Sequence, residues 1–232
     1  HRYAALTGGS MGFTKNEGTS VNIKDKVAYS VMSAIRKQMT DGSGDVKVKA
    51  IEAGAVYGHK MTGGQKDDTG APIDSEWVPV ATEAVIWGED LKEPDALGNL
   101  ANADKIGNPD NIKFSEKLRT LFIGEDSGMH VNNFLWAYNV DTKELSRLLS
   151  TPAGAESTGL HAVDEVNGFT YIMSNFQHAG DWEIKKDANG TVTGLHAKVY
   201  AELDPLIKKN YGDSRGKLGG AVGYLTGLPA AF

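Results

Sequence analysis

The chain has 232 residues, of which 30 are acidic and 24 basic, so its formal net charge at pH 7 is −6. Such a chain is poorly suited to a nucleic-acid backbone or an anionic membrane surface, because like charges repel. It has no cysteine, which excludes disulfides, thiolate-bound zinc and a thiol nucleophile within the chain. No apolar run is long enough to predict a membrane span.

The first hundred residues combine short apolar runs with polar loops. Residues 10–22 are interpreted as a loop, and residues 63–74 as a long, glycine-rich surface loop. Val27, Val31 and Ile35 fit a helical spacing, but Val27, Tyr29 and Val31 also alternate, and we favour a strand. In chain order, strands are predicted over residues 2–7, 27–33, 46–50, 55–57 and 81–87.

The β pattern becomes clearer in the second half of the chain. The Asn167-Gly168 pair predicts a hairpin. Residues 95–107 are predicted to hold a helical turn or two, residues 204–210 a short helix, and the apolar segment 218–232 to pack against the body. Strands are predicted over residues 112–114, 120–124, 133–139, 145–149, 169–174 and 191–193.

Short strands at intervals of about ten residues, without long helices between them, predict an all-β propeller, sandwich or barrel. The 28 glycines and 7 prolines are typical of such a fold with many tight turns. No internal repeat is sharp enough to define propeller blades.

Carboxylates at the ends of strands are the main candidates for a functional site. Asp110 begins one strand, Glu125 and Asp126 end the next, and Glu156 lies in a stretch of small residues that allows a ligand to approach closely. Carboxylate oxygens are the ligands that calcium and magnesium prefer. The alternative is that these residues only stabilise turns.

His178, which follows a strand, is the candidate for a catalytic role. A histidine in this position could act as a general acid, contact a phosphate or bind a metal; a purely structural role is the alternative. The chain lacks the GxSxG motif of serine hydrolases, the GxxxxGK[ST] phosphate loop and a GxGxxG motif after a strand. The residues therefore leave open a metallohydrolase or a calcium-stabilised binding scaffold.

Six segments, in order, resemble the PhoX-type alkaline phosphatases. They cover most of the chain from Val27 to Trp182, with a looser similarity near the carboxyl end. The segments are Val27-Ala-Tyr-Ser-Val-Met-Ser33, Gly54-Ala-Val-Tyr57, Asn108-Pro-Asp-Asn-Ile112, Leu121-Phe-Ile-Gly-Glu-Asp126, Gly154-Ala-Glu-Ser-Thr158 and Gln177-His178.

The resemblance implies a periplasmic or secreted β-propeller enzyme that hydrolyses phosphate monoesters with calcium (Ca²⁺) and, in characterised members, iron (Fe³⁺). By position, Glu156 and Asp110 match acidic residues of the family's metal cluster, and Glu125 and Asp126 are further candidates. His178 matches the family's Gln-His element, in which it would contact phosphate or support a metal ligand. Cations would supply the charge neutralisation, so no side-chain nucleophile is implied.

In the family, a cysteine iron ligand and several other site residues come from an earlier part of the chain, which this sequence lacks. We therefore expect residues 1–232 to form a single propeller-like domain with an incomplete set of blades and short helical excursions, the carboxyl-terminal part of a longer protein with part of the site. Homo-oligomerisation, or pairing with the amino-terminal part, is expected at open strand edges. The rival hypotheses are a noncatalytic calcium-stabilised binding module and a lactonase-like propeller hydrolase.

Overall fold

A computed structural model describes residues 12–212 and 218–229 of the chain. The fold is mostly β, with 45% strand and 7% helix, which confirms the all-β prediction. The predicted strand over residues 2–7 lies outside the described residues. Among the described helices, none is long and apolar enough to cross a membrane.

The described elements are thirteen strands, one 3₁₀ turn (Lys37–Met39) and one α-helix. The strands are β1 (Asn16–Asn22), β2 (Val27–Met32), β3 (Ala55–Thr62), β4 (Val78–Trp87), β5 (Pro109–Ser115), β6 (Thr120–Glu125), β7 (Phe134–Asn139), β8 (Leu145–Ser150), β9 (Glu156–Val166), β10 (Phe169–Gln177), β11 (Lys185–Lys186), β12 (Val192–Thr193) and β13 (Ala221–Pro229), and the helix is α1 (Tyr200–Tyr211).

The strands form four antiparallel sheets, none of them closed. Strands β1 to β4 make one four-stranded sheet in chain order, and β5 to β8 make another. The third sheet has the order β13-β10-β9, and β11 pairs with β12. The predicted Asn167-Gly168 turn joins β9 to β10, and both residues have positive φ angles of 53° and 83°, as a tight hairpin turn requires.

The β5–β8 sheet lies in the middle, and both faces of its inner strand β6 are buried. On β6, Leu121 and Ile123 pack in the core shared with the first sheet, whereas Phe122 packs with Ala162 and Ile172 of the third sheet. Successive side chains of a strand point to opposite faces. Strand β6 therefore contributes to two cores, which explains why its sequence is a continuous apolar run rather than an alternating one.

Strands β1, β5 and β9 lie side by side, one from each of the three larger sheets, with β5 between the other two. The spacing is tight at two glycines. A Cβ atom on Gly18 would lie 2.4 Å from the backbone oxygen of Asp110, and one on Gly124 would lie 2.6 Å from that of Ser157. Side chains are absent at these two points, which allows the sheets to approach closely.

Several predicted elements differ from the observed ones. Residues 10–22 contain β1 rather than only a loop. Residues 46–50 form no strand, although Val46 and Val48 pack against the core as their alternation suggests. Residues 95–107 hold no helix, because the Asp95 carboxylate accepts bonds from three nearby backbone N–H groups and fixes a turn instead.

The carboxyl-terminal elements also differ in detail. Helix α1 begins four residues before the predicted start, and Pro205 lies inside it, although proline is better suited to the first turn. The apolar segment supplies β13, which pairs with β10 through its backbone. Leu218 packs in a core cluster, but the Val222 and Tyr224 side chains stay 83% and 62% exposed. The prediction that this segment packs against the body is therefore met mainly by the backbone.

Candidate functional site

Carboxylates from neighbouring sheets converge where the central strands begin. Asp110 is the second residue of β5, Glu156 is the first residue of β9, and Asp126 directly follows β6. Partial burial, followed by the charges of Glu17, Asp126 and Glu156, raises the pKa of Asp110 to about 6. The fold thus brings together three of the four predicted metal ligands and adds Glu17 of β1.

Asp126 shares this acidic environment. Burial and the charge of Glu156 raise its pKa, while His178 and Lys15 act in the opposite direction. Acidic groups so close together repel one another, and a cation would relieve that repulsion.

Glu156 is held by the two residues of the Gln-His pair. Gln177 Nε2 donates to Glu156 Oε2, and His178 Nε2 lies 3.1 Å from the same oxygen. The other ring nitrogen of His178, Nδ1, lies 3.1 Å from the Gly154 carbonyl oxygen. Both contacts to Glu156 therefore end on the same oxygen, Oε2.

The charge state of His178 follows from these contacts. Burial lowers its pKa, but the hydrogen bond to Glu156 and the bond to the Gly154 carbonyl outweigh burial, so the net shift is upward. A protonated imidazole can donate to both acceptors at once. His178 also has a φ of +44°, a left-handed conformation that is uncommon outside glycine. This geometry suits a residue that positions Glu156.

A small polar cavity of about 70 Å³ adjoins these residues. Asp126 and His178 line it together with Asp181, Glu183 and His196. Partial burial and the charges of Asp181 and Asp126 raise the pKa of Glu183. The cavity has room for an ion or a few waters rather than for an organic molecule.

Glu125 belongs to a different environment, although it precedes Asp126 directly. Its side chain is fully buried. Oε1 accepts from the Gly107 N–H and from Trp136 Nε1, both at 2.7 Å, and Oε2 accepts from the Phe134 N–H at 3.0 Å and lies 3.0 Å from His130 Nδ1. Four groups saturate the carboxylate, so the structure does not place Glu125 with the other predicted ligands.

Asn108, just before β5, holds two sheets together. Its side-chain amide donates to the carbonyl oxygens of Ser33 and Glu52, at 2.8 and 2.7 Å, and its side-chain oxygen accepts from Ser127 Oγ. Asn111 has a different role from Asn108, because its side-chain amide donates to Asp110 Oδ1 at 2.7 Å. The Asn108–Asn111 segment therefore combines a structural residue with a candidate ligand.

Sequence reasoning missed the acidic residues Glu17, Asp181 and Glu183 and the basic residue Lys15. Glu17 lies in the segment that was interpreted as a loop, and its carboxylate pairs with Lys15 at 3.0 Å. The only signal in the sequence is a Lys-Asn-Glu-Gly stretch, which does not differ from an ordinary polar turn. Asp181 and Glu183 follow β10 at a distance from the acidic motifs, and only folding brings them near.

The converging side chains are chemically suited to bind a hard cation such as calcium, because they are mainly carboxylates with oxygen ligands. Within the described residues, however, no group of three or more His, Asp or Glu side chains is arranged closely enough to hold a metal ion. The converging carboxylates fit part of a coordination shell. Comparisons with models of protein families, with characterised proteins and with solved structures gave no match.

Proposed function

We propose that this chain carries part of the site of a metal-dependent phosphatase that hydrolyses phosphate monoesters. Asp110, Asp126 and Glu156 would supply carboxylate ligands to calcium, or to calcium together with iron. The single observation that carries the proposal is the convergence of these carboxylates from neighbouring sheets, where partial burial and the charges of the neighbouring acids raise the pKa of Asp110 to about 6. Perturbed carboxylates in a cleft are typical of functional sites.

The roles of the residues follow from their contacts. A bound calcium ion would neutralise charge on the phosphoryl oxygens and orient the ester. Glu156 would turn Oε1 to the cation while Gln177 and His178 hold Oε2. His178 thus takes a positioning role, and in its protonated form it also favours an anionic substrate nearby.

We also propose that the three larger sheets are blades of a β-propeller. Two of them are four-stranded antiparallel meanders, and the first strand of each of the three lies next to the first strand of its neighbour. Radial packing of four-stranded sheets around a centre is the propeller arrangement. In this arrangement Glu17, Asp110 and Glu156 occupy corresponding positions near the centre. The periplasmic or secreted location and homo-oligomerisation stay predictions.

The direct test is phosphate release from 4-nitrophenyl phosphate by the purified chain, with calcium and with a calcium chelator. We expect the chain to bind calcium, and we expect whatever release this partial site supports to require calcium and to be lost with the chelator. Glu156→Gln removes one ligand charge with little change in shape and should reduce release at least about tenfold. The matched control is Glu93→Gln, which changes an exposed carboxylate in the loop after β4 and should leave release unchanged.

Absence of release from the chain in every condition, together with no effect of Glu156→Gln on calcium binding, would contradict the proposal. A screen of lactone and carboxylic ester substrates alongside the phosphate ester separates the lactonase-like alternative. Release of acid from esters, without release of phosphate, would assign the site to that class.

A noncatalytic binding module is the second candidate, favoured by the lack of a closely spaced three-ligand group among the described residues. In that case calcium would tie the sheets together where β5 and β9 begin. Calcium would raise the melting temperature, Glu156→Gln would remove that increase, and no substrate would be turned over. Turnover that depends on Glu156 at unchanged thermal stability would favour the phosphatase.

A further inference from the structure

A second, larger cavity of about 610 Å³ lies beside the third sheet, between β13 and helix α1. Its size falls within the roughly 300–1,000 Å³ that is usual for small-molecule sites. The end of β10 and the loop after β8 complete the wall. The lining residues differ from those of the acidic site, so this cavity is a separate candidate binding site.

Helix α1 turns one face towards the cavity. Leu203, Leu206, Ile207, Asn210 and Tyr211 all line it, and their spacing of three and four residues places them on one side of a helix. Leu206 is 53% exposed. Part of this face packs against the third sheet, because Ile207 and Tyr211 belong to a cluster with Phe176 and Leu218. The described residues leave Leu206 largely uncovered.

Strand β13 forms the opposite wall with a second set of exposed apolar side chains. Val222 and Tyr224 line the cavity although they are 83% and 62% exposed. The Tyr224 ring contacts Tyr171 edge to face with 5.4 Å between ring centroids, which fixes its position. Exposed apolar surface of this extent costs free energy in water, and a ligand that covers it recovers that cost.

None of the described residues that line the cavity is charged, although 23% of the chain is charged. Its polar groups are amides and hydroxyls, among them the side chains of Asn175, Asn210 and Ser174. A charged ligand would lose hydration without gaining a counter-charge, whereas a neutral one can exchange hydrogen bonds with amides. The chemistry of the wall therefore selects against charge in the ligand.

The geometry points to a binding site for a neutral, elongated amphipathic molecule, of the class of long-chain alcohols and their uncharged derivatives. The apolar chain lies between Leu206 and Val222, and the hydroxyl end meets the amides. This site is independent of the acidic site, because Glu156 and His178 do not line it.

Competition with Nile red, a neutral dye that fluoresces in apolar surroundings, tests this inference. We expect 1-decanol to displace the dye saturably and decanoate, which has the same chain length but carries a charge, to bind at least about tenfold more weakly. Equal competition by the two, or the lack of any saturable displacement, would overturn the assignment.

Lysine substitutions locate the site. Leu206→Lys and Val222→Lys, on opposite walls, should each weaken decanol binding about tenfold, because each places a charge in the cavity. Ala201→Lys is the matched control, since it adds the same charge to an exposed position of α1 outside the cavity. Both target side chains are largely exposed, so the variants should fold, and melting temperatures verify this. Unchanged binding in both folded wall variants would refute the site.

Discussion

Glu125 and Asp126 are consecutive residues with the same functional group, yet they lie in opposite surroundings. Glu125 is fully buried and four groups contact its two oxygens. Asp126 lies among other acids, and the charge of Glu156 contributes to its raised pKa. The pair lies at the end of β6, where alternate side chains point to opposite faces. Consecutive carboxylates can therefore have unrelated roles.

The difference lies in the balance of donors and acceptors. Around Glu125, four neighbouring groups contact the two carboxylate oxygens, so both oxygens are hydrogen-bonded and the side chain is a fixed part of the core. Around Asp110, Asp126 and Glu156 the acceptors exceed the donors. That surplus of negative charge is what a cation can neutralise, and it distinguishes a candidate site from a structural carboxylate.

The largest expected effect comes from Glu125→Gln. The new amide group would turn a donor towards groups that already donate, so we expect the free energy of unfolding to fall by about 3 kcal/mol. Urea unfolding monitored by circular dichroism measures it. Asp126→Asn is the neighbouring control and should change stability by less than about 1 kcal/mol. Similar losses in the two variants would contradict the distinction between the two carboxylates.

An intermediate effect is expected from Asp110→Asn, and it depends on pH. The folded-state pKa of Asp110 is raised to about 6, so the native state holds this proton more tightly than the unfolded state. The resulting penalty is absent below about pH 4, grows between pH 4 and 6, and is complete above pH 6.

In the absence of calcium, Asp110→Asn should therefore increase the free energy of unfolding at pH 8 by about 1 kcal/mol, after allowance for solvent screening. The gain should disappear near pH 4. Urea unfolding at both pH values measures the change. A gain of equal size at both pH values would show that the carboxyl charge is not its cause.

The smallest effect on stability is expected from His178→Asn. Asparagine tolerates the left-handed backbone at this position, and the pair of the partly exposed His178 with Glu156 contributes less than about 1 kcal/mol. Calcium affinity should nevertheless fall about tenfold, because Glu156 loses the residue that orients it. Unfolding curves and calcium titrations of the same sample separate the two effects. A large loss of stability at unchanged affinity would make His178 purely structural.

The sequence predicts the apolar strands well, because their alternation is visible. Strands β2, β5 to β8 and β10 all lie where the pattern placed them. Strand β1, with the sequence Asn16-Glu-Gly-Thr-Ser-Val-Asn22, was missed, and β9 was not identified as a strand. Both contribute to the candidate site, and their mixed, largely polar sequences give no clear hydrophobic period. The site thus combines the well-predicted strands β5 and β6, which position Asp110 and Asp126, with two strands that were hard to predict.

The site itself was predictable only in part. Asp110, Asp126 and Glu156 stood out as carboxylates near strand ends, and they do share one environment. Glu125 matched the same pattern, and only the fold shows that Gly107, His130 and Trp136 saturate it. Its donors come from residues 5 to 18 positions away, and a local motif does not contain that information.

The most direct test is a calorimetric calcium titration of the chain at pH 8 and pH 5.5, with Glu156→Gln and Glu93→Gln in parallel. We predict saturable binding at pH 8, weaker binding at pH 5.5, where Asp110 is largely protonated, and loss of affinity in Glu156→Gln alone. Absence of saturable binding, or binding that neither pH nor Glu156→Gln alters, would contradict the assignment of these carboxylates to a cation site.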